Sequence, residues 1–462
     1  MKIILLFLYI LCVSNNILQS DEASTQLSDK IAGQTRYTMT ERSNWSRYDN
    51  GSYTGLTHRE IRANLRAEGI SANTRFSGFI YVLEETKKDM MLAARPVDAI
   101  KEASFTLHAD GSMEFHTDYG YPHFRNFPLI PNEAIKPGDI WEGEAIRVID
   151  PKNNGTMTKL PILVQYTFTG MQEYKGRQVQ KIKAKFATRF SKYNMPAVKD
   201  PELIQANGTH DAEILINPET GVTMLILDRL DETFQYLDGS TIRLKGNTAI
   251  FTESAARVEK TTILSKVKNQ NNEASKKNKG LSQNDSFSSS ADAALPEKTR
   301  FADPINHVQD LPAAAEKSGR GGNGMITQTP ETVALLEDGS SFLLEETPKG
   351  LRLSVRDIRF MADSDSVLPD EYWRIDALAD ILRSAEGSQF LVEGHTAKIG
   401  KPRGELELSI LRAKKIVDEL VKRGIAADRF IYAGFGGEKP IADNATDKGR
   451  SMNRRVEITI LE

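Results

Sequence analysis

Three histidines in one strand-rich stretch are the first residues whose type suggests chemistry. His108, His116 and His123 carry imidazole groups of the kind that bind zinc. Their spacing matches no recognised zinc motif, such as His-Glu-x-x-His. The chain has a single cysteine, so the cysteine-rich type of zinc site is excluded as well. We therefore assign the protein no metal and no other cofactor.

A glycine-rich run at residues 319–324 matches the Gly-x-Gly-x-x-Gly pattern of dinucleotide-binding loops. Such a loop needs a strand before it and a helix after it, and the sequence around this run predicts neither. The run is therefore interpreted as linker. The chain contains no Gly-x-Ser-x-Gly nucleophile motif and no Walker phosphate-binding motif, and its carboxylates show no catalytic pattern. The sequence predicts that the protein is not an enzyme.

Residues 36–256 are predicted to form a β-rich domain, or two such subdomains. Asp110-Gly111 and the segment 217–221 each separate two strand-like runs, as in β-hairpins. Apolar residues alternate with lysines from Lys181 to Phe186, which is typical of a strand with one face in water. The runs on both sides of the second turn are apolar on both faces. We therefore expect a sandwich-like fold.

One short helix is predicted inside this β-rich region. Residues 57–60 read Thr-His-Arg-Glu, which matches a helix capping box. Ile61 and Leu65 share one helical face, and Gly69 follows at a position suited to end the helix.

Residues 257–335 change in composition and are predicted to form a flexible, low-complexity linker. Lys, Asn, Gln and Ser dominate the first part, and Pro, Ala and Gly the second. Such segments bury too little apolar surface to offset the conformational entropy lost on folding. A flexible chain of roughly 75 residues has a root-mean-square span near ~50 Å.

Residues 336–462 regain the periodicity of a folded domain. Apolar residues recur at helical spacing over 370–384 and 405–423, and short strand-like runs precede, separate and follow these segments. The order β-α-β-α-β-β predicts a two-layer α/β domain with its helices on one side of a sheet. The whole chain is thus expected to be a multidomain α+β protein.

The first residues predict export. Residues 1–20 combine Lys2, an apolar run of signal-peptide length and a polar end, and residues 21–35 follow as a polar leader. The only cysteine, Cys12, lies within the apolar run; the residues before it are not the small ones typical of a lipidation site. No later stretch is apolar enough for a transmembrane helix, so the mature chain is expected to lack one.

The overall charge argues against nucleic acid as a partner. The 60 Lys and Arg residues nearly balance the 63 Asp and Glu residues, and the net charge is −3. Dedicated nucleic-acid binders carry a basic field that this balance does not provide.

Several ordered motifs in the last quarter of the chain carry a family resemblance. They are Asp357-Ile358-Arg359-Phe360, Glu393-Gly394-His395-Thr396, Leu408-Ser409-Ile410-Leu411-Arg412-Ala413, Tyr432-Ala433-Gly434-Phe435-Gly436 and Asn453-Arg454-Arg455-Val456-Glu457. Together they resemble the C-terminal domain shared by OmpA, the peptidoglycan-associated lipoprotein and MotB. The β-rich region is more loosely similar to domains that precede this module in some spirochaete envelope proteins.

The resemblance implies non-covalent binding to the peptide stem of peptidoglycan. In the family an Asp takes the ammonium of the stem's diamino acid and an Arg takes a carboxylate, a pairing of strong, charge-assisted hydrogen bonds. Arg412 and Arg455 stand at the family's arginine positions, and Thr396 precedes the Asp position. That Asp position is Ala397, and the position of a supporting Asn is Glu405.

Two functions are compatible with these residues. In the first, the protein is a periplasmic or outer-membrane-associated envelope protein that binds peptidoglycan through a weakened or altered site. In the second, it is a structural or protein-interaction scaffold, with other envelope proteins as partners, that has lost this binding. Arg412 and Arg455 favour the first function, whereas Ala397, Glu405 and the neighbouring Lys398 favour the second.

Overall fold

A computed structural model describes residue 27 and residues 35–69, 73–86, 95–193, 200–252, 259–281, 342–356, 358–361 and 364–461. The predicted signal peptide with Cys12, most of the polar leader and the glycine-rich run at 319–324 lie outside the described residues. In the described part of the chain, no helix has the length and apolar character needed to cross a membrane.

The N-terminal half, here called the β-domain, is one antiparallel sheet of twelve strands in the order β6-β5-β3-β2-β1-β13-β12-β11-β10-β9-β8-β7. The strands, with the short β4 that joins a second sheet, are β1 (Arg36–Asp49), β2 (Ser52–Ala67), β3 (Thr74–Thr86), β4 (Arg95–Pro96), β5 (Ala99–Leu107), β6 (Met113–Thr117), β7 (Phe124–Arg125), β8 (Ile140–Ile149), β9 (Thr158–Tyr174), β10 (Arg177–Ser191), β11 (Leu203–Ile216), β12 (Thr223–Tyr236) and β13 (Thr241–Phe251).

The sheet curls so that its two outermost strands approach each other. The backbone N–H of Met113 on β6 donates to the side chain of Asn126, just after β7, at 2.8 Å. The guanidinium of Arg125 lies 3.9 Å from the ring centre of Phe115. The larger of its core clusters contains residues from both halves of the sheet. The β-rich prediction is therefore confirmed, but one nearly closed sheet replaces the expected sandwich, because every strand pairs with a neighbour along one continuous order.

The predicted helix at residues 57–69 is wrong. These residues belong to β2, which pairs along its length with β1 and β3. Ile61 and Leu65 do share a face, since residues four apart lie on the same side of a strand as well as of a helix. Strand pairing on both sides satisfies the backbone and outweighs the local capping signal. Both predicted hairpin turns are present, between β5 and β6 and between β11 and β12.

The C-terminal half has a six-stranded sheet in the order β14-β15-β18-β16-β17-β4, with its helices over one face. Its elements are α1 (Lys260–Leu281), β14 (Phe342–Thr347), β15 (Gly350–Arg356), α2 (Tyr372–Arg383), β16 (Phe390–Gly394), α3 (Pro402–Lys422), β17 (Phe430–Gly434), α4 (Asp447–Asn453) and β18 (Arg455–Leu461). The structure adds three elements to the predicted order of strands and helices. Helix α1 comes first, the hairpin of β14 and β15 replaces the first strand, and α4 precedes the last strand.

Helix α1 corrects the prediction of a flexible linker starting at residue 257. Ile263 and Val267 are buried in the core of the C-terminal domain. The side-chain amide of Asn271 donates to the carbonyl of Phe342 and accepts its N–H, both at 3.0 Å. The composition of α1 is polar, but its few apolar residues fall on one helical face, which is enough to dock it on the domain.

Candidate ligand site

The site lies at the carboxyl ends of β16 and β17. These strands run parallel, and Gly394 pairs with Gly434 at their ends. Helix α3 packs against both glycines so closely that an added Cβ would lie 2.2 Å from the Ser409 carbonyl oxygen at one and 2.4 Å from Ser409 Oγ at the other. Ser409 Oγ also accepts the N–H of Gly436 at 2.9 Å. The motif glycines and serine therefore fix the helix on the strand ends.

Glu405 shapes the loop that leaves β16. One oxygen of its buried carboxylate accepts the backbone N–H of Ile399 at 2.7 Å and that of Lys401 at 3.0 Å. The other oxygen faces Gly437, where an added Cβ would lie 2.9 Å from it. Burial opposes ionisation, but the hydrogen bonds from Lys401 and Ile399 hold the pKa of Glu405 below its usual range. The carboxylate of this first-turn residue of α3 thus accepts N–H groups of the loop that leads into the helix.

Thr396 and Ala397 form the inner part of the same loop. The Thr396 N–H donates to the Gly436 carbonyl at 2.9 Å, which ties the loop to the end of β17. Both residues are buried. Ala397 presents only a methyl group where the family resemblance implies an acidic side chain. The next residue, Lys398, donates its backbone N–H to the side chain of Asn444 at 3.0 Å.

Arg412 lies two turns along α3 from Glu405 and is also buried. Its Nε donates to the Ser364 carbonyl at 3.2 Å, and its guanidinium lies 4.7 Å from the ring centre of Phe360. Two residues that follow β15 therefore hold this guanidinium in place. The Glu405 carboxylate is hydrogen-bonded to the backbone of its own loop.

Arg455 is engaged in a structural ion pair. Its Nε lies 2.6 Å from Glu457 Oε1, and a second nitrogen donates to the Lys439 carbonyl at 3.2 Å. Burial opposes ionisation of Glu457, but His395, Arg455 and Arg352 hold the pKa of this carboxyl well below its usual range. A ligand role for Arg455 stays a prediction.

His395 packs against an aromatic ring in the turn after β16. Its ring stacks on Phe435, with ring centres 5.6 Å apart and planes 15° apart. Burial lowers the pKa of His395, and the nearby Arg455 lowers it further. The ring is a packing element of the turn after β16.

Sequence reasoning missed the role of Asn453. Its side chain accepts the N–H groups of Ile441 and Ala442, and it donates to Asn444 Oδ1 at 2.9 Å. Since Asn444 in turn accepts the Lys398 N–H, these amides connect α4 to the ligand loop. The signal was the asparagine that opens the Asn-Arg-Arg motif, whose arginines attracted attention instead.

Two of the histidines singled out in the β-domain lie against other side chains. His123 is buried against Glu41, with 2.6 Å between Nδ1 and Oε1, and His116 contacts Thr106 at 2.9 Å. Within the described ranges, no group of three or more His, Cys, Asp or Glu side chains is arranged to hold a metal ion.

Comparison with known proteins identifies the C-terminal domain. Residues 359–454 match the model of the OmpA family. The C-terminal domain therefore contains an OmpA family segment, as the motifs predicted, and is called the OmpA-like domain below.

Relatives of this OmpA-like domain occur in several bacteria. Outer membrane porin F of Pseudomonas fluorescens is 38% identical over 104 residues, which are 22% of this chain and 32% of that protein. Peptidoglycan-binding protein ArfA of Mycobacterium tuberculosis is 39% identical over 103 residues, which are again 22% of this chain and 32% of that protein. The chain thus spans about a third of the length of these curated relatives.

Among solved structures, the periplasmic domain of Helicobacter pylori MotB is 25% identical, with a TM-score of 0.25. The match covers 27% of this chain and 83% of that one.

Proposed function

We propose that the protein is an envelope protein whose OmpA-like domain associates non-covalently with peptidoglycan through an altered site. Arg412 carries the proposal, because its guanidinium is buried on the helix that packs on the strand ends at Gly394 and Gly434, and such a group is suited to a stem-peptide carboxylate. The 39% identity to a protein named as peptidoglycan-binding supports the same ligand class.

The alteration concerns the ammonium of the ligand. Ala397 offers no acceptor, and Glu405 Oε1 is already occupied by two backbone N–H groups. Loss of one charge-assisted hydrogen bond costs ~1.5–3 kcal/mol, which corresponds to a roughly 10- to 150-fold weaker affinity. Recognition then depends on the carboxylate side of the ligand.

Co-sedimentation of the chain from residue 21 with purified peptidoglycan sacculi tests this function. We expect Arg412→Ala to weaken binding at least tenfold and Lys414→Ala, an exposed change on the same helix, to leave it unchanged. Ala397→Asp should strengthen binding by about tenfold or more, since it restores the missing acceptor. Melting curves of each variant separate lost binding from lost folding.

The alternative function is a structural or protein-interaction scaffold without wall binding. The observation that favours it is the Glu405 carboxylate, which builds the loop instead of facing a ligand. Sacculi that capture neither the unmodified chain nor Ala397→Asp would contradict peptidoglycan binding and support this alternative.

The proposed location is the periplasm or the inner side of the outer membrane, reached by the signal peptide predicted at residues 1–20. Names of the relatives that refer to the outer membrane agree with such a location. Immunoblots of cell fractions, together with N-terminal sequencing of the mature chain, test both the location and the cleavage.

A further inference from the structure

The OmpA-like sheet is buried on both faces, although its helices cover only one. Leu391, Ile431 and Leu461 lie on the face away from the helices and are at most 4% exposed. They form one cluster with Tyr81 and Leu83 of β3, which belongs to the β-domain. The outer face of β3 therefore covers the second face of the OmpA-like sheet and shields it from solvent.

Successive side chains of β3 point alternately into the core of the β-domain and outward to the OmpA-like sheet. Ile80 and Val82 point into that core, so Tyr81 and Leu83 point outward. Tyr81 is nevertheless 0% exposed. Burial, together with the nearby Glu393 carboxylate of β16, raises the pKa of Tyr81 well above its usual range.

A salt bridge lies beside this apolar contact. Lys349 Nζ lies 2.8 Å from Glu393 Oε1 and 5.8 Å from the ring centre of Phe79 on β3. The lysine thus contacts a carboxylate of one domain and an aromatic ring of the other.

The backbone also connects the two domains directly. Strand β4 pairs in parallel with the edge of β17. The N–H of Val97 donates to the Tyr432 carbonyl at 2.8 Å, and the N–H of the next residue, Asp98, donates to the Val82 carbonyl at 2.9 Å. Two consecutive residues therefore hydrogen-bond to different domains, which fixes the edge of one sheet relative to the other.

The covalent connection between the domains is short. Strand β13 ends at Phe251 and α1 begins at Lys260, so eight residues, 252–259, separate the β-domain from an element packed in the OmpA-like core. Fully extended, such a segment spans about 30 Å. Residues 282–341, which include most of the predicted linker, follow α1 and precede β14 along the chain and lie outside the described residues.

We infer that the β-domain is the docking partner of the OmpA-like sheet and that the two halves form one rigid unit in solution. Strands β16 and β17 carry the interface on one face and the ligand loops at their carboxyl ends. Docking therefore fixes the direction in which the loops face, relative to the β-domain. The inference does not require that the loops bind peptidoglycan.

Pulsed electron paramagnetic resonance tests the docking on the whole chain from residue 21, which contains no cysteine. Spin labels are placed by Leu237→Cys in the β-domain, where Leu237 is 61% exposed, and by Lys414→Cys on α3. We expect one narrow distance distribution. A broad distribution extending over tens of ångströms would overturn the inference.

Two variants show whether the contact at β3 is responsible. Tyr81→Glu places a carboxylate beside Glu393 and should broaden the distribution, whereas Tyr53→Glu, at a tyrosine that is 60% exposed, should not. Identical narrow distributions in both variants would contradict the proposed interface.

If Tyr81→Glu does not fold, hydrogen exchange of the unmodified chain tests the docking instead. The amide of Val97 should then be protected from exchange. Exchange of this amide at the rate of an unprotected one would refute docking. Sacculus binding is a separate measurement, so failure of the interface and failure of wall binding are distinguishable.

Discussion

The carboxylate of Glu405 accepts the backbone N–H of Ile399 at 2.7 Å. An acidic residue at the family's Asn position thus folds the loop that holds Ala397, and its charge serves the loop rather than the ligand. The loss of the acidic side chain at 397 and the gain of one at 405 are not equivalent, because Glu405 Oε1 already accepts two backbone N–H groups.

Removal of this carboxylate should destabilise the OmpA-like domain. Glu405→Ala leaves two backbone N–H groups without their acceptor, and we expect it to lower the free energy of unfolding by ~1.5–3 kcal/mol. Glu405→Gln, which keeps one acceptor oxygen, should cost less. Differential scanning calorimetry measures both, with the exposed Glu407→Ala as the control. Equal effects of Ala at 405 and 407 would contradict the loop-building role.

Two glycines next to the site should respond oppositely to alanine. A Cβ at Gly434 would meet the Ile410 backbone nitrogen at 2.5 Å, whereas a Cβ at Gly404 in the first turns of α3 would meet nothing within 4 Å. Gly434→Ala should therefore destabilise by ~1–3 kcal/mol through overpacking. Gly404→Ala should stabilise by up to ~1 kcal/mol through helix propensity. Calorimetry that shows the same sign for both changes would refute this close packing of α3.

Helix α1 should be part of the cooperative unit of the OmpA-like domain. Asn271→Ala removes both hydrogen bonds to the Phe342 backbone, and we expect a loss of ~1–3 kcal/mol for the buried groups left unsatisfied. The adjacent, exposed Asn272→Ala is the matched control. If thermal unfolding treats the two variants alike, α1 does not contribute to the stability of the domain.

A buried histidine should make the stability of the β-domain depend on pH. Burial alone would lower the pKa of His210, but the Glu232 and Asp228 carboxylates, 3.1 and 2.8 Å away, raise it to about 9. Because the folded pKa lies above the ordinary value of 6.5, the stabilisation is complete below about pH 6.5 and is lost as the pH rises to about 9.

Denaturant titrations between pH 6 and 9.5 measure this loss, expected to reach about 3 kcal/mol. His210→Asn should remove most of the pH dependence, and the exposed His116→Asn should retain it. A decline of the same size in both variants would assign the effect to other groups.

The sequence predicted the OmpA-like domain well because its signals are local. Helical periodicity defines α2 and α3, and the motif glycines Gly394 and Gly434 mark the strand ends where α3 packs. These residues specify their elements without reference to distant parts of the chain.

The errors arose where distant contacts decide the structure. The capping box at Thr57 is real as a local preference, but pairing with β1 and β3 makes the segment a strand. Helix α1 has a polar composition typical of linkers, and its docking depends on β14, more than 60 residues later. Glu405 binds backbone N–H groups, and Tyr81 packs on the second domain. Residue types alone reveal neither contact.

Each edge of the OmpA-like sheet carries a feature that hinders the addition of a further strand. At one edge, Asn271 occupies the backbone hydrogen-bonding groups at the start of β14. At the other, β4 is two residues long and ends at Pro96, whose nitrogen carries no hydrogen to donate. An open edge is a template on which a second chain can add a strand and start aggregation. The fold thus protects its own sheet from edge-to-edge association when many copies are present.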